Sequence, residues 1–272
     1  MSWEMPGPAW LFCPADRGER YAKAAAAADV VIIDLEDGVG AGDKAAAREV
    51  LASTPLDPER TLVRVNAVGT EDFAADLAAL RRTSYRRVML PKSESAQQLS
   101  LLSEYEVVAL FESPLGALRT DEVMAAPNAI GSMAGAEDLL AGLGGNSSRR
   151  ADGGYRDVAQ HLRSTALLAA KAHGKFALDS VYLDIADLDG LRAESDAAVA
   201  VGYEAKVAIH PKQLAVIRAA YAPADAELDW ARRVLAEVPN NRGVFSFEGH
   251  MVDGPVIRHA ERILARAEAV AK

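Results

Sequence analysis

Short runs of hydrophobic residues recur along the chain and alternate with longer segments rich in alanine and polar residues. The runs are typical of buried strands, because a parallel strand covered on both faces is hydrophobic throughout. The intervening segments have the length and composition of helices. The pattern predicts eight strands, at residues 10–12, 30–33, 62–65, 88–90, 107–111, 129–133, 178–183 and 205–209.

Eight strand–helix pairs predict an α/β fold of the TIM (β/α)8 barrel type, with parallel strands joined by right-handed crossovers. Residues 1–222 are assigned to the barrel. Residues 223–272 do not continue the alternation and are predicted to form a helical extension that caps the active site of this chain or of a neighbouring subunit. No Gly-x-Gly-x-x-Gly motif follows the first strand, which disfavours a dinucleotide-binding open sheet.

Charged residues follow several of the predicted strands at the point where each strand ends. Arg64 lies at the end of the third strand, Glu112 directly after the fifth, and Asp138 shortly after the sixth. Barrel enzymes build one active site from the carboxyl ends of many strands. The pattern therefore predicts an enzyme whose site lies at this end of the barrel.

Glu112 and Asp138 are the candidate metal ligands. Two carboxylates without a nearby histidine or cysteine ligand favour a hard cation, and Mg²⁺ typically takes one or two carboxylates with substrate oxygens and water. The alternatives are an ion pair between Glu112 and a cation of the barrel rim, and a helix-capping role for Asp138.

Arg64 is the candidate clamp for a substrate carboxylate, because its planar guanidinium matches the geometry of that group. An ion pair with Asp34 or Glu36 is the alternative, and the two roles are compatible. Small residues at 134–136 precede an apolar run from Leu139, so free N–H groups at the start of a helix are expected to bind a carboxylate. An ordinary helix start remains the alternative.

Further charged residues have less specific interpretations. Three acids crowd the end of the second strand, and structural or supporting roles are expected for Asp34, Glu36 and Asp37, with Arg64, Lys92, Lys44 and Arg48 as candidate partners. The cations after the first strand are candidates for contacts with phosphates or for a solvated helix face: Arg17, Arg20 and Lys23. His210 is a candidate acid or base, or a residue that fixes a loop, and Asp253 is a candidate N-cap of the last helix.

Composition restricts the class of protein. The 272 residues are half hydrophobic and carry a net charge of −9, which is ordinary for a globular protein and disfavours a nucleic-acid partner. Cys13 is the only cysteine, so no disulfide framework exists and a reducing compartment is expected. The sequence shows neither a signal-peptide pattern nor an apolar stretch long enough for a membrane, so a cytoplasmic protein is predicted.

Seven short motifs, in this order, cover nearly the whole chain: Trp10-Leu-Phe-Cys-Pro-Ala-Asp-Arg17, Ile33-Asp-Leu-Glu-Asp-Gly-Val39, Arg64-Val-Asn66, Leu90-Pro-Lys92, Gly135-Ala-Glu-Asp138, Ile209-His-Pro-Lys212 and Phe247-Glu-Gly-His-Met-Val-Asp253. Together they resemble the citrate lyase beta subunit-like group of the HpcH/HpaI aldolase family, whose relatives include malyl-CoA and citramalyl-CoA lyases. Each motif alone is weakly specific, whereas seven in one order are strongly so.

The resemblance implies a TIM barrel that uses Mg²⁺ and a CoA thioester, in a homo-oligomer that is expected to be a trimer. By position, Glu112 and Asp138 match the metal ligands, and Arg64 matches the arginine that holds the small acid. The backbone of Ala136, Glu137 and Asp138 matches the loop that binds the acid's carboxylate. Asp253 matches a catalytic aspartate that reaches a neighbouring subunit's site. Glu36 and Asp37 are expected to support the site, and the candidate CoA contacts are Arg17, Arg20, Lys23, Lys44, Lys92 and His210.

The predicted reaction is cleavage of a 3-hydroxyacyl-CoA of the citramalyl-CoA, malyl-CoA or 3-hydroxy-3-methylglutaryl-CoA type, giving acetyl-CoA and a small oxo acid. Three alternatives remain open. They are malate synthase-like condensation with thioester hydrolysis, a CoA-independent aldolase, and a binding module without catalysis. The compact chain resembles a stand-alone enzyme more than a subunit that works with an acyl carrier protein.

Overall fold

Eight parallel strands close into a barrel in the computed structural model, which describes residues 3–241 and 243–271. Each strand pairs with its neighbours in chain order, and β1 pairs with β8. The strands are β1 (Ala9–Pro14), β2 (Val30–Asp34), β3 (Thr61–Arg64), β4 (Arg87–Leu90), β5 (Glu106–Phe111), β6 (Ala129–Ala134), β7 (Phe176–Asp179) and β8 (Ala205–Ala208). The predicted TIM-barrel fold is confirmed.

Helices cover the outside of the barrel. They are α1 (Gly18–Ala27), α2 (Lys44–Ser53), α3 (Glu71–Leu80), α4 (Ala96–Ser100), α5 (Pro114–Leu118), α6 (Thr120–Met124), α7 (Ala136–Gly142), α8 (Asp157–Ala172), α9 (Leu188–Val201) and α10 (Pro211–Tyr221). Short 3₁₀ turns occupy Ala41–Asp43, Pro58–Arg60 and Val238–Asn240. Among the described residues, no helix has both the length and the hydrophobicity that crossing a membrane requires.

The alternation of side chains along each strand determines which residues face the barrel interior. In β2, Val30 and Ile32 belong to the inner hydrophobic core, so Asp34 continues the same inward-facing row at the carboxyl end of the strand. Arg64 in β3 and Glu112 directly after β5 follow inner-core residues in the same way. Strand geometry therefore brings polar side chains together above a hydrophobic barrel interior.

Strand seven was predicted at the wrong residues. The predicted strand covers residues 178–183, whereas β7 begins at Phe176, two residues before the predicted start, and ends at Asp179. β8 pairs with β7 only at Leu178 and Asp179, so the later residues have no neighbouring strand. A turn follows, in which Asp184 Oδ1 accepts a hydrogen bond from the Ala186 amide at 2.9 Å.

The C-terminal segment contains α11 (Asp225–Glu237), β9 (Phe245–Phe247), β10 (His250–Val252) and α12 (Gly254–Ala271). Its small hydrophobic core is separate from that of the barrel and is formed by Ala231, Val234, Val252, Ala260 and Ile263. The sequence predicted both helices and missed the antiparallel β9–β10 hairpin. Glu248 and Gly249, with φ of 51° and 78°, form the two-residue connection that favours such a hairpin.

Candidate active site

Six ionisable side chains meet at the carboxyl ends of the barrel strands, and contacts of 3.7 Å or less join them all into what we term the rim cluster. They belong to the ends of β2, β3, β4 and β5 and to the first turn of α7, which follows β6. The members of the rim cluster are Asp34, Glu36, Arg64, Lys92, Glu112 and Asp138. The site residues expected at separate strand ends are thus brought together by barrel closure.

Arg64 is held in one orientation by several partners. Its Nε and Nη2 donate to the two carboxylate oxygens of Asp34 at 2.7 and 2.6 Å, and its Nη1 lies 3.1 Å from Glu36. Its guanidinium also lies 4.7 Å from the centre of the Phe12 ring. The ion pairs that the sequence left as an alternative are therefore present. The side chain remains 12% exposed, so it is not completely enclosed by the protein.

Asp34 is fixed in turn by the backbone that follows it. Its Oδ1 accepts from the Glu36 amide at 2.9 Å and its Oδ2 from the Gly38 amide at 2.8 Å. A Cβ at position 38 would lie 2.4 Å from Asp34 Oδ2, so glycine is required there. The carboxylate is thereby oriented before it binds Arg64.

Lys92 contacts three carboxylates. Its Nζ lies 2.8 Å from Glu36, 3.5 Å from Asp138 and 3.7 Å from Glu112. Its backbone amide also donates to Glu112 Oε1 at 3.1 Å. Burial alone would lower the pKa of Lys92, but these acids raise it above its ordinary value. The structure therefore places this predicted CoA contact within the rim cluster.

Glu112 is a buried acid in an excess of negative charge. Burial, together with the charges of Glu36 and Asp138, raises the pKa of Glu112 to about 8, although Lys92 and Arg64 oppose the shift. The carboxylate lies directly against the turn before α7, where a Cβ on Gly135 would come within 2.6 Å of Glu112 Oε2. An additional cation beside such a carboxylate favours its ionised form.

Asp138 is the more accessible of the two predicted metal ligands, with a side chain that is 40% exposed. It lies in the first turn of α7, whose N-cap residue, Gly135, has no side chain to satisfy the first N–H groups. Glu137, beside it, accepts a hydrogen bond from the Ser148 hydroxyl. The segment thus combines a carboxylate with backbone donors that face no capping side chain.

The charges of the rim cluster do not balance. With all four carboxylates ionised, its two cations leave an excess of two negative charges, which one divalent ion would neutralise. Among residues 3–241 and 243–271, no three side chains of the His, Cys, Asp or Glu type are arranged to hold a metal by themselves. A site with two carboxylates fits Mg²⁺, which retains water or substrate oxygens as its other ligands.

Two predicted CoA contacts have partners within the chain. Lys44 Nζ donates to the Leu35 carbonyl, the Glu36 carbonyl and Asn66 Oδ1 at 2.7–2.9 Å, which uses all three of its hydrogens. His210 caps α10, where its Nδ1 accepts from the Lys212 amide at 3.1 Å. Both residues stabilise loops at the barrel rim.

The remaining predicted charges lie at the surface or pair elsewhere. Arg48 was wrongly predicted as a partner of the acids after β2, because it instead pairs with Asp72 and with Asp76 on α3. Several others are exposed, namely Arg17, Arg20, Lys23 and Asp37. Arg17 and Arg20 make only loose ion pairs with neighbouring acids, at 3.5 and 3.8 Å.

Asp253 occupies the N-cap position of α12. Its Oδ1 accepts from the Val256 amide at 3.3 Å, and its carbonyl accepts from the Ile257 amide. Within the described part of this chain, no hydrogen bond or ion pair connects Asp253 to the rim cluster. The capping role left open by the sequence is present, and its catalytic role stays a prediction.

A second group of buried charges, which we term the β7–β8 network, was missed by the sequence analysis. It consists of Asp179, Lys206, Arg163, Glu194 and Arg149. Lys206 Nζ, fully buried, donates to Asp179 at 2.7 Å and to Glu194 at 2.8 Å. A lysine inside the short apolar strand β8 was the signal that such partners must exist.

Models of two protein families match this chain, and the two matches overlap. A model described as HpcH/HpaI aldolase/citrate lyase matches residues 9–211. A second model, described as a C–C bond lyase of the TIM-barrel fold, matches residues 155–271. Together the two matches span the barrel and the C-terminal segment.

Individual relatives agree with these families. The chain is 60% identical to a citrate lyase subunit beta-like protein of Mycobacterium tuberculosis, over 98% of both chains. It is 34% identical to a (3S)-malyl-CoA thioesterase of Cereibacter sphaeroides, over 96% of this chain and 94% of that one. A crystal structure of M. tuberculosis CitE with magnesium, acetoacetate and coenzyme A superposes with a TM-score of 0.92 at 60% identity, covering 96% of this chain and 98% of that chain.

Proposed function

The chain belongs to the HpcH/HpaI aldolase/citrate lyase family, and from this premise we propose that it is a Mg²⁺-dependent lyase that cleaves a 3-hydroxyacyl-CoA. The products are acetyl-CoA and a small oxo acid. The observation that carries the proposal is the rim cluster, in which four carboxylates share only two cations, one of them an oriented arginine. The magnesium, acetoacetate and coenzyme A bound to the M. tuberculosis protein support it.

Glu112 and Asp138 are the proposed ligands of the ion. A bound Mg²⁺ supplies Lewis-acid polarisation of the substrate's hydroxyl and carboxylate oxygens. Glu112 is rigid because it is buried and rests against Gly135, whereas Asp138 is partly exposed. One fixed and one accessible carboxylate suit an ion that must also accept substrate oxygens.

Arg64 and the start of α7 bind the small acid in this proposal. When the carbon–carbon bond breaks, the hydroxyl proton passes to water, the hydroxyl carbon becomes the carbonyl carbon of the oxo acid, and Arg64 donates hydrogen bonds to the oxygen as charge redistributes. The backbone N–H groups of Ala136, Glu137 and Asp138 bind the acid's carboxylate. Asp34 and Glu36 keep the guanidinium in place, so little reorganisation accompanies the reaction.

Asp253 is the proposed acid. The electron pair of the broken bond passes to the thioester as an enolate, and Asp253 protonates its carbon to give acetyl-CoA. Because Asp253 has no contact with the rim cluster of its own described chain, we propose that it acts in a neighbouring subunit of a homotrimer. Asp253→Asn should lower turnover about 10²-fold while substrate binding changes little.

The exposed cations of the first strand–helix unit are the best candidates for residues that bind CoA. Arg17, Arg20 and Lys23 lie in and just before α1 and are accessible. Lys44, Lys92 and His210 already have partners within the chain. We therefore expect charge reversal at Arg17, Arg20 or Lys23 to raise the KM for a CoA thioester by a larger factor than it lowers kcat.

Cleavage assays test the proposal directly. Citramalyl-CoA, malyl-CoA and 3-hydroxy-3-methylglutaryl-CoA, each as both enantiomers, are incubated with the protein and Mg²⁺, and acetyl-CoA is measured. Cleavage of at least one compound, lost with EDTA and in Glu112→Ala, is expected. Failure to cleave any of them, in a protein that also binds no CoA thioester, would overturn the CoA assignment.

Thioester hydrolysis is the second candidate function, because one relative is named a (3S)-malyl-CoA thioesterase. The same site would then serve a reaction whose product is free CoA, either directly from malyl-CoA or after condensation of acetyl-CoA with glyoxylate. Measuring free CoA and acetyl-CoA in one assay separates the two. Release of free CoA without acetyl-CoA would replace the lyase proposal with hydrolysis.

A further inference from the structure

The Lys92 ammonium lies where the two proposed metal ligands meet. It is 3.5 Å from Asp138 and 3.7 Å from Glu112, and its closest partner is Glu36 at 2.8 Å. Only the last of these contacts has hydrogen-bonding distance. The ammonium is therefore bound to Glu36 and held by charge near the other two acids.

The backbone of Lys92 is strained in a way that favours this position. Its φ is 49°, in the left-handed region that costs energy for a residue with a side chain. The same conformation allows the amide to donate to Glu112 at 3.1 Å while the side chain reaches Glu36. Strain of this kind persists only where surrounding contacts compensate for it.

A divalent ion on Glu112 and Asp138 would lie close to this ammonium. Two like charges a few ångströms apart repel each other strongly, even where solvent reduces the effect. The Lys92 side chain is 39% exposed, so neighbouring residues do not enclose it on every side. The ion and the ammonium would therefore compete for the same carboxylates.

We propose that Lys92 is a tethered cation that neutralises the rim cluster in the metal-free protein and competes with Mg²⁺ for Glu112 and Asp138. This inference rests on the proposed function, because it takes those two residues as the ligands of the ion. It assigns Lys92 a positioning role: the residue holds the side chains of Glu112 and Asp138 near each other until the ion binds. Without it, the metal-free protein would be less stable and the ion would bind more tightly.

Mg²⁺ titration by calorimetry tests the proposal on Lys92→Met, Lys92→Gln and Lys92→Arg. The two neutral variants are expected to bind Mg²⁺ at least about tenfold more tightly than the wild type. In EDTA, their melting temperature should fall by at least about 2 °C, and saturating Mg²⁺ should reduce this difference. Lys92→Arg, which keeps the charge, is expected to restore the wild-type affinity.

Lys171→Met is the matched control. Its side chain is 38% exposed and pairs with Glu204, so the variant removes a similarly exposed ion pair on the outside of the barrel. Neither Mg²⁺ affinity nor its effect on stability should change. If the neutral Lys92 variants do not fold, crystal structures of the wild type with Mn²⁺ and with EDTA provide the test, because the ammonium must lie farther from both ligands in the first structure than in the second.

The outcomes separate this inference from the function on which it rests. Tighter binding by the neutral variants supports it, including the case in which the wild type binds too weakly to detect. Equal or weaker binding by the variants, with normal binding by the wild type, overturns the inference and leaves the metal site intact. Absence of binding by the wild type and all variants overturns both.

Discussion

The rim cluster and the β7–β8 network both contain buried carboxylates, yet they differ in how many cations surround those carboxylates. In the β7–β8 network, Asp179 accepts hydrogen bonds from Arg163 and Lys206, one on each oxygen at 2.7 Å. Burial alone would raise the pKa of Asp179, but these cations hold it below its ordinary value. In the rim cluster, burial and neighbouring acids raise the pKa of Glu112 instead.

This difference separates a structural network from a candidate site. In the β7–β8 network, three cations surround two carboxylates, and Arg149 and Lys206 satisfy both oxygens of Glu194. The rim cluster has four carboxylates and only two cations. Folding tolerates an unbalanced group at a cost, and such groups concentrate where a ligand supplies the missing charge. The number of cations available to each carboxylate therefore distinguishes the two regions better than burial does.

The largest effect on stability is expected from breaking the β7–β8 network. Lys206→Met leaves the buried Asp179 and the partly buried Glu194 without their shared cation, so the free energy of unfolding should fall by about 3–5 kcal/mol. Denaturant unfolding measures it. Arg192→Met, which breaks an exposed pair with Asp196 on α9, is the control and should cost less than about 1 kcal/mol. A small loss in Lys206→Met would show that the network is not what stabilises β7 and β8.

A smaller effect is expected from displacing Glu112 within the rim cluster. In Gly135→Ala the added Cβ would lie 2.6–2.7 Å from Glu112 atoms, so the side chain must move. A loss of about 1–3 kcal/mol in unfolding free energy, together with weaker Mg²⁺ binding, is predicted from denaturant unfolding and calorimetry. Gly42→Ala, where a Cβ meets no atom within 4 Å, should leave both unchanged. Unaltered Mg²⁺ affinity in Gly135→Ala would contradict the assigned position of Glu112.

Glu112→Gln is expected to raise stability, whereas Lys206→Met in the β7–β8 network is expected to lower it. Because the folded-state pKa of Glu112 is raised to about 8 from 4.5, its stabilising contribution is complete below pH 4.5 and is lost as the pH rises towards 8. In EDTA, the Glu112→Gln substitution should therefore raise the free energy of unfolding by about 1–3 kcal/mol at pH 9. At pH 4 it should have little effect. Melting curves at the two pH values measure the difference, and a destabilised variant at pH 9 would refute it.

The smallest effect concerns Cys13, which is an ionisable group outside both regions. Burial raises the pKa of this thiol from 9.0 to about 11, despite an opposing charge on Arg20. At pH 8 the thiol is therefore protonated, and iodoacetamide should modify it slowly until the chain is unfolded. Mass spectrometry in the presence and absence of denaturant measures this. Rapid modification of the folded protein would show that the first strand opens readily.

The barrel could be predicted from sequence because most of its strands are short apolar runs that alternate with helical segments. The ends of β2, β3 and β5 could be predicted for the same reason, since a polar residue that continues an inward-facing row must lie at the barrel mouth. The β9–β10 hairpin was missed because its three-residue strands are too short for a periodic pattern. The end of β7 was missed because apolar residues occur at 181–183, beyond Asp179, the last residue of β7 that pairs with β8.

Part of the candidate site depended on tertiary contacts that sequence spacing does not encode. Lys92 was predicted both as a partner for the acids after β2 and as a CoA contact, and only the structure shows its ammonium among three carboxylates. The β7–β8 network joins residues from five separate segments, so no local pattern identifies it. The resemblance to a known family gave roles to Asp253 and Arg64 that position alone left open.

Titration of Mg²⁺ into the metal-free protein tests the central claim most directly, namely that the charge excess of the rim cluster marks a cation site. Calorimetry on the wild type is expected to show one ion per chain, with binding lost in Glu112→Gln and retained in Arg192→Met. Failure of the wild type to bind Mg²⁺, or binding that survives in Glu112→Gln, would contradict the claim.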